Sequence, residues 1–440
     1  MLDLLVRSGT VVSSSGAVQA DVGVVEGKVV AVGDLTGETA RETLDAGGLH
    51  VLPGAIDTQV HFREPGLTHK EDIAHGSLAA VMGGVTTYFE MPNTDPPTTT
   101  EEALRWKLAR AAETSWANYA FFIGASPTNV DDLARLEKLP GTPGVKIFAG
   151  SSTGTLLVED EDLLRQVLMN GERPCPIHSE DEQRLRERKK LLSDSPNVRE
   201  HPVIRDAEVA KLSTYRMVKL SLETGRPIHI LHVSTVDEVP LLIGAKQAGV
   251  PVTCEVTPQH LTFTSDDYET LGTKLQMNPP VRDGEHRLAL WYGLEQGLFD
   301  VFGSDHAPHT LEEKAQPYPE SPSGMPGVQT LLPLLLDFHV QGRLSLDTVV
   351  RMACERPAEL YGVKGKGKVE PGYDADLAIV DLGARFEVTR DWLKSKCGWS
   401  PYEGRSLTGR PVHTVVMGRL AVRDGQPVER CGARVEFDWK

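Results

Sequence analysis

PIHILHVSTVDEVPLLIGAKQAGVPVTCEV, residues 227–256, decides the fold. Its opening run, 227–235, is apolar and rich in β-branched residues, the composition of a buried strand. Residues 235–249 then read as a helix, and a second run of the same kind begins at Pro251. Continuous apolar strands alternating with helices build a parallel sheet covered on both faces. Working outward, the same short run recurs in LPGAIDTQVH, GVTTYFEMPN, NYAFFIGAS, GVKIFAG, CPIHSED, PVTCEVTPQH and FDVFGSDHAPH. Helix-like stretches at 101–113, 160–170, 203–223 and 285–297 separate most of the others. Eight strand–helix units predict a closed (β/α)8 barrel over 53–365. An open doubly wound sheet is the competing α/β arrangement, but no glycine-rich phosphate loop follows the first run.

The two ends of the chain read differently. Residues 3–34 alternate apolar and polar positions between glycine turns, as do 375–382, 411–425 and 433–439. Neither end holds enough strands to be stable alone. Segments 1–52 and 366–440 are therefore expected to form one small β-sandwich domain beside the barrel.

The 440 residues carry 46 Lys and Arg against 62 Asp and Glu, a net charge of −16. Nucleic acid and anionic membrane both call for a basic surface, so neither is expected as a partner. RLRERKK at 184–190 is interleaved with acid and reads as a solvated helix face. Cys175, Cys254, Cys354, Cys397 and Cys431 are scattered and odd in number, which argues against a disulfide framework. With no signal-like N-terminus and no long apolar run, a cytoplasmic protein is expected.

Barrel enzymes work at the C-terminal ends of their strands. Those ends carry His61 and Arg63, Asn93, Lys146, His178, His232, and Asp305 with His309. Each has an ordinary explanation taken alone. A histidine in a β run is more often a satisfied core residue, Lys146 can snorkel to the surface, and Asp305 can cap a helix. Their convergence on one mouth favours a metal site instead. Imidazole and carboxylate suit zinc or another first-row divalent ion. A protonated lysine does not, but a lysine carbamate is anionic and can bridge two ions. Such a site points to metal-assisted hydrolysis of a C–N or related bond, with Asp305 moving the proton. Arg63 offers a planar fork for a carboxylate, although an ion pair with Glu64 would use it equally well. Within DTQVHFREPG, 57–66, Gln59 stands where a second metal-binding histidine is often found, two residues before His61. The loop AQPYPESPSGMPGVQT, 315–330, follows the last run and is expected to be a mobile lid.

Several of these stretches occur together in one family. GSDHAPHTLEEK (303–314), HFREPG (61–66), MPNT (91–94), MNPPVR (277–282) and GKVEPGYDADLAIVD (367–381) make the chain resemble the dihydroorotases of the amidohydrolase superfamily. The resemblance extends over essentially the whole chain. It implies interconversion of L-dihydroorotate and N-carbamoyl-L-aspartate in pyrimidine synthesis. It also implies one or two zinc ions held by His61, Lys146, His178, His232 and Asp305, with Lys146 carboxylated on Nζ as in KIFAGSSTG-type members. Arg63, Asn93 and His309 would hold the substrate carboxylate, and the backbone near Asn278 would meet the ring. Gln59, in place of the family's usual histidine, would weaken one metal position; Gln259, where relatives often carry histidine, is a second departure. A homo-oligomer is expected, as is a small-molecule substrate, with aspartate transcarbamoylase as a candidate partner. Two other readings stay open: an allantoinase or hydantoinase, and a non-catalytic dihydroorotase-like scaffold. Against the first, allantoinases resemble HFREPG but lack its arginine.

Overall fold

A computed structural model describes residues 1–150 and 154–439. Ser151–Thr153, inside the KIFAGSSTG stretch, lie outside the described residues, as does Lys440. The barrel strands are Ala55–Val60, Val85–Glu90, Asn118–Phe121 continued by Ile123–Gly124, Val145–Phe148, Cys175–His178, Ile228–Ile230, Val252–Val256 and Val301–Phe302. All neighbouring pairs are parallel. A parallel bridge between Val60 and His306 joins the first strand to the chain leaving the eighth and closes the ring. Strand residues are buried almost without exception, which is why they read as unbroken apolar runs rather than alternating ones.

Helices Ile73–Met82, Glu101–Thr114, Glu161–Met169, Ala207–Thr224, Glu238–Gln247, Gly284–Glu295 and Leu331–Val340 form the outer layer. Asp72, Thr100, Asp160, Asp206 and Asp283 each accept a backbone N–H at a helix start, satisfying a donor the helix itself cannot. The stretch expected to be helical from 203 is split, because Asp206 takes an extended conformation and caps a new helix at Ala207. Among the described residues no helix is long and apolar enough to cross a membrane. All five cysteines are buried and unpaired.

The chain ends meet as anticipated. Strand Leu377–Glu387 pairs antiparallel with His50–Pro53, matching Ile379 to Val51. It belongs to a nine-stranded sheet that also takes in Leu2–Ser13, Gly16–Val25 and Ser406–Val416. Val22, Val24 and Val29 share one apolar interior with Leu377, Ile379 and Val415, so the sheet folds over a core of its own beside the barrel.

Two parts of the C-terminal segment depart from expectation. Residues 433–439 do not add a strand to that sheet. Tyr119 N donates to Ala433 O and Val435 N to Tyr119 O, each at 3.0 Å, and Val435 packs with Ile56, Phe89 and Phe122 at the base of the barrel. The alternating pattern specifies an apolar face but not which surface receives it. Residues 388–405 leave the sheet altogether and cover the barrel's other end, where Trp399, Tyr402 and Leu393 join Phe263 and Met325 in a separate apolar cluster.

One buried ion pair fastens helix to sheet. Lys107 Nζ donates to Glu90 Oε2 at 3.0 Å, and both side chains are sealed from solvent. Burial raises the Glu90 pKa and lowers that of Lys107, each opposed by the partner's charge. Lys107→Met leaves a buried carboxylate uncompensated and is expected to destabilise the fold by about 3–5 kcal/mol. Adding Glu90→Gln should recover most of that loss in urea denaturation; equal stability of wild type and Lys107→Met would contradict this account.

Candidate active site

The C-terminal ends of the barrel strands surround a cavity of about 370 Å³. His61, Arg63, Asn93, Lys146, His178, Asn278, Asp305 and His309 all line it, with Gln59 and Lys70. His232 lies just beneath, its Nε2 3.1 Å from His178 Nδ1. A larger open hollow of about 960 Å³ lies on the terminal sheet, but its charges pair among themselves, Arg41 with Asp3 and Arg423 with Glu42. The convergent chemistry is at the barrel mouth.

Hydrogen-bond partners set the tautomers there. His178 Nε2 lies 2.8 Å from Glu180 Oε2. A carboxylate only accepts, so Nε2 carries the proton and the Nδ1 lone pair faces His232. His61 stands between two acceptors, its Nδ1 2.6 Å from Asn93 Oδ1 and its Nε2 3.3 Å from Asp305 Oδ1. Burial lowers the pKa of His61 and holds that of His232 well below the usual histidine range, which favours the neutral rings. His232 Nδ1 has no hydrogen-bond partner among the described residues. Lys146 stands between these pairs with its Nζ 4.6 Å from the Phe148 ring centroid, and burial lowers its pKa to about 7. Three imidazoles, the Asp305 carboxylate and a lysine of lowered pKa converge in a buried space, a donor set that suits a divalent metal.

Gln59 has a definite task in this structure. Its Nε2 donates to Asp305 Oδ1 at 3.1 Å, while its buried Oε1 has no partner. Gln259 supports the same loop from below, donating to Ser304 O at 2.5 Å. Arg63, His232 and Asp305 all have positive φ, at 66°, 36° and 43°. Such conformations are uncommon outside glycine, and their strain of about 1–3 kcal/mol each concentrates at functional sites.

Arg63 does not pair with Glu64. Glu64 faces away, accepting from Arg110 Nε at 2.6 Å and Ile73 N at 3.0 Å. Arg63 Nε donates to Pro308 O at 3.2 Å and Nη2 lies 3.3 Å from His309 Nε2. Among the described residues no carboxylate contacts this guanidinium, and burial lowers its pKa to about 10. On the facing side, Asn278 Oδ1 lies 3.0 Å from His201 Nε2.

The loop expected as a lid is tied into the mouth. The buried Lys314 ammonium donates to Gln276 O, Pro322 O and Gly324 O, and Gly324 N donates to Gln276 O. Glu255, on the seventh strand, is not among the residues expected from the sequence; it accepts from His232 N at 3.1 Å, and burial raises its pKa well above the usual carboxylate range. An acid inside the apolar run VTCEV is the signal that marks it. Gly303 must be glycine beside it, because an added Cβ would lie 2.1 Å from Glu255 Oε2. Glu71, Asp72 and His75 also bring ligand atoms within 4.8 Å of one another. They lie outside the cavity lining, and Asp72 is already engaged with His75 N, His75 Nδ1 and Lys396 as a helix cap.

Comparison with known proteins agrees with this architecture. Residues 225–421 match the profile of the amidohydrolase family, and residues 48–140 match a dihydro-orotase-like profile. A dihydroorotase of Methanothermobacter thermautotrophicus is 34% identical, covering 96% of this chain and 95% of its own. An allantoinase of Rubrobacter xylanophilus is 38% identical, covering 97% and 95%. The solved L-hydantoinase (dihydropyrimidinase) from Arthrobacter aurescens superposes with a TM-score of 0.95 at 32% identity, covering 99% of this chain and all of that one.

Glu180 orients His178 without lining the cavity. Glu180→Gln is expected to lower affinity for a divalent metal by about 10–100-fold, the usual cost of losing such an orienting partner. Chelator competition on the metal-loaded protein measures this; unchanged affinity would free His178 of that dependence.

Proposed function

The chain belongs to the amidohydrolase family, and we propose that within it the enzyme is a dihydroorotase. It would reversibly hydrolyse L-dihydroorotate to N-carbamoyl-L-aspartate in pyrimidine biosynthesis. The observation that carries this reading is Arg63, a buried guanidinium in the cavity wall with no carboxylate in contact among the described residues. A buried cation without a counter-ion favours an anionic ligand, and a guanidinium grips a carboxylate with two parallel bonds. Dihydroorotate carries a carboxylate on its ring; hydantoin and allantoin rings do not. His309 and Asn93 stand on the same wall to share that carboxylate, and Asn278 faces the ring amides.

His61, Lys146, His178, His232 and Asp305 are proposed to hold zinc in one or two positions, with Lys146 as its carbamate. The lowered pKa of Lys146 favours the neutral amine, the form that captures carbon dioxide. When bound, zinc supplies Lewis-acid polarisation and a water of lowered pKa. Asp305 takes the proton of the attacking water and returns it to the departing ring nitrogen. Gln59 holds one Asp305 oxygen during that exchange. Arg63 and His309 would hold the carboxylate and so orient the ring in the cavity that Asp305 lines.

Purified protein supplied with zinc and bicarbonate is expected to hydrolyse dihydroorotate in preference to hydantoin and allantoin; turnover of either neutral ring with dihydroorotate untouched rejects this assignment. Arg63→Ala removes charge-assisted hydrogen bonds of about 1.5–3 kcal/mol, a loss of roughly ten- to a hundredfold in apparent affinity. Bound metal should be unaffected in that variant.

Gln59 offers an amide where relatives carry an imidazole, so the position near His61 and Asp305 should bind zinc more weakly than the one near His178 and His232. Mild chelation should remove one ion before the other, and Gln59→His should raise metal content by elemental analysis. Two equally tight ions with Gln59 in place would rule this out.

A further inference from the structure

His309 sits among three basic groups and two acceptors. Lys70 Nζ lies 3.1 Å from its Nδ1, and Glu313 Oε2 lies 3.7 Å from the same atom. On the other side, Ser323 O is 3.0 Å and Arg63 Nη2 3.3 Å from Nε2. The third base, Lys314, is buried nearby on the backbone carbonyls of Gln276, Pro322 and Gly324.

These distances choose a tautomer. An ammonium has hydrogens to give and no lone pair, so Lys70 requires the lone pair of His309 on Nδ1. The ring proton then lies on Nε2, where Ser323 O accepts it at 3.0 Å, nearer than the Arg63 Nη2 donor at 3.3 Å that alone would favour the other tautomer. Burial and the neighbouring charges of Arg63, Lys70 and Lys314 hold the pKa of His309 far below the usual histidine range, so the ring is neutral. Lys70 is itself anchored, 3.0 Å from Glu313 Oε1, and it lines the cavity.

The choice matters because a carboxylate only accepts. With the proton on Nε2, His309 can donate to a carboxylate held by Arg63; with the proton on Nδ1, the Nε2 lone pair would repel it. Without Lys70, Glu313 Oε2 on the Nδ1 side and the Arg63 donor on the Nε2 side both pull toward the wrong tautomer, and only Ser323 O opposes them.

We propose that Lys70 is a positioning residue that locks His309 as its Nε2–H tautomer and thereby tunes the cavity for a carboxylate-bearing ring. The substrate half of this inference rests on the dihydroorotase reading; the tautomer half does not.

Two-bond ¹H–¹⁵N spectra of histidine-labelled full-length protein separate the halves. The His309 signals are identified by their loss in His309→Gln. Wild type is expected to show the proton on Nε2, Lys70→Met to move it wholly or partly to Nδ1, and Lys70→Arg to restore it. An unchanged His309 tautomer in a folded Lys70→Met protein overturns the lock. In kinetics, Lys70→Met should raise KM for dihydroorotate by about tenfold, roughly one weakened hydrogen bond to a charged group, with kcat little changed. The same substitution should add nothing in the His309→Gln background, the mark of one residue acting through another. Additive effects would show that Lys70 does not act through His309. If the tautomer moves while the wild type leaves dihydroorotate untouched, the substrate reading falls and the lock stands.

Discussion

The site depends on one seam, where the first barrel strand meets the chain leaving the eighth. Four contacts run along it in order. Ser304 N donates to Asp57 Oδ1 at 3.1 Å, and Gln59 Nε2 to Asp305 Oδ1 at 3.1 Å. His61 N donates to His306 O at 2.8 Å, and Arg63 Nε to Pro308 O at 3.2 Å. Each step joins residues about 245 apart in the chain. Closing the barrel thus places an imidazole, a carboxylate and a guanidinium side by side. A sheet left open at this edge would hold the same residues and have no site.

That closure also gathers polar groups that a stable core would exclude. Asp57 is fully buried, with a pKa raised to about 7, and Glu255 lies buried behind His232. Among the described residues, Asp57 Oδ2, Gln59 Oε1, His232 Nδ1 and Glu255 Oε2 are buried without a hydrogen-bond partner. An unsatisfied buried polar atom costs stability, so such a concentration marks a place shaped for a ligand. The rest of the fold compensates. The Glu90–Lys107 pair docks a helix to the sheet, the Lys314 ammonium ties the loop at the mouth, and Trp399 Nε1 donates to His309 O at 2.8 Å. The last contact brings the C-terminal segment to the rim of the cavity.

Much of this was legible in the residues. Unbroken apolar runs separated by capped helices can only be parallel strands with both faces covered, and strand ends are where a barrel does chemistry. Reading those ends singled out His61, Lys146, His178, His232 and Asp305, which the structure gathers in and beneath one cavity. Other features were invisible because they are not local. Glu255 interrupts an apolar run, but the partner that gives it meaning, the His232 N–H, lies 23 residues away. Glu64 and Arg63 are adjacent in sequence, yet a positive φ at Arg63 sends them to opposite sides, one to Arg110 and the other into the cavity. Val435 and Phe437 alternate as in a strand, but their apolar face fits the base of the barrel and not the terminal sheet.

The sequence by itself determined the strand–helix alternation, the pairing of the two chain ends, the kinds of ligand at each strand end and the amide at position 59. These follow from hydrophobic period and from side-chain chemistry, which are properties of neighbouring residues. Only the tertiary structure decided which nitrogens and oxygens meet at the mouth, that Gln59 serves Asp305, that Arg63 has no acid partner in contact among the described residues and that Lys70 reaches His309. Those facts depend on distances between residues brought together by barrel closure. Hydrogen bonds and charge pairs act over a few ångströms, and no local pattern encodes which distant atoms come within that range.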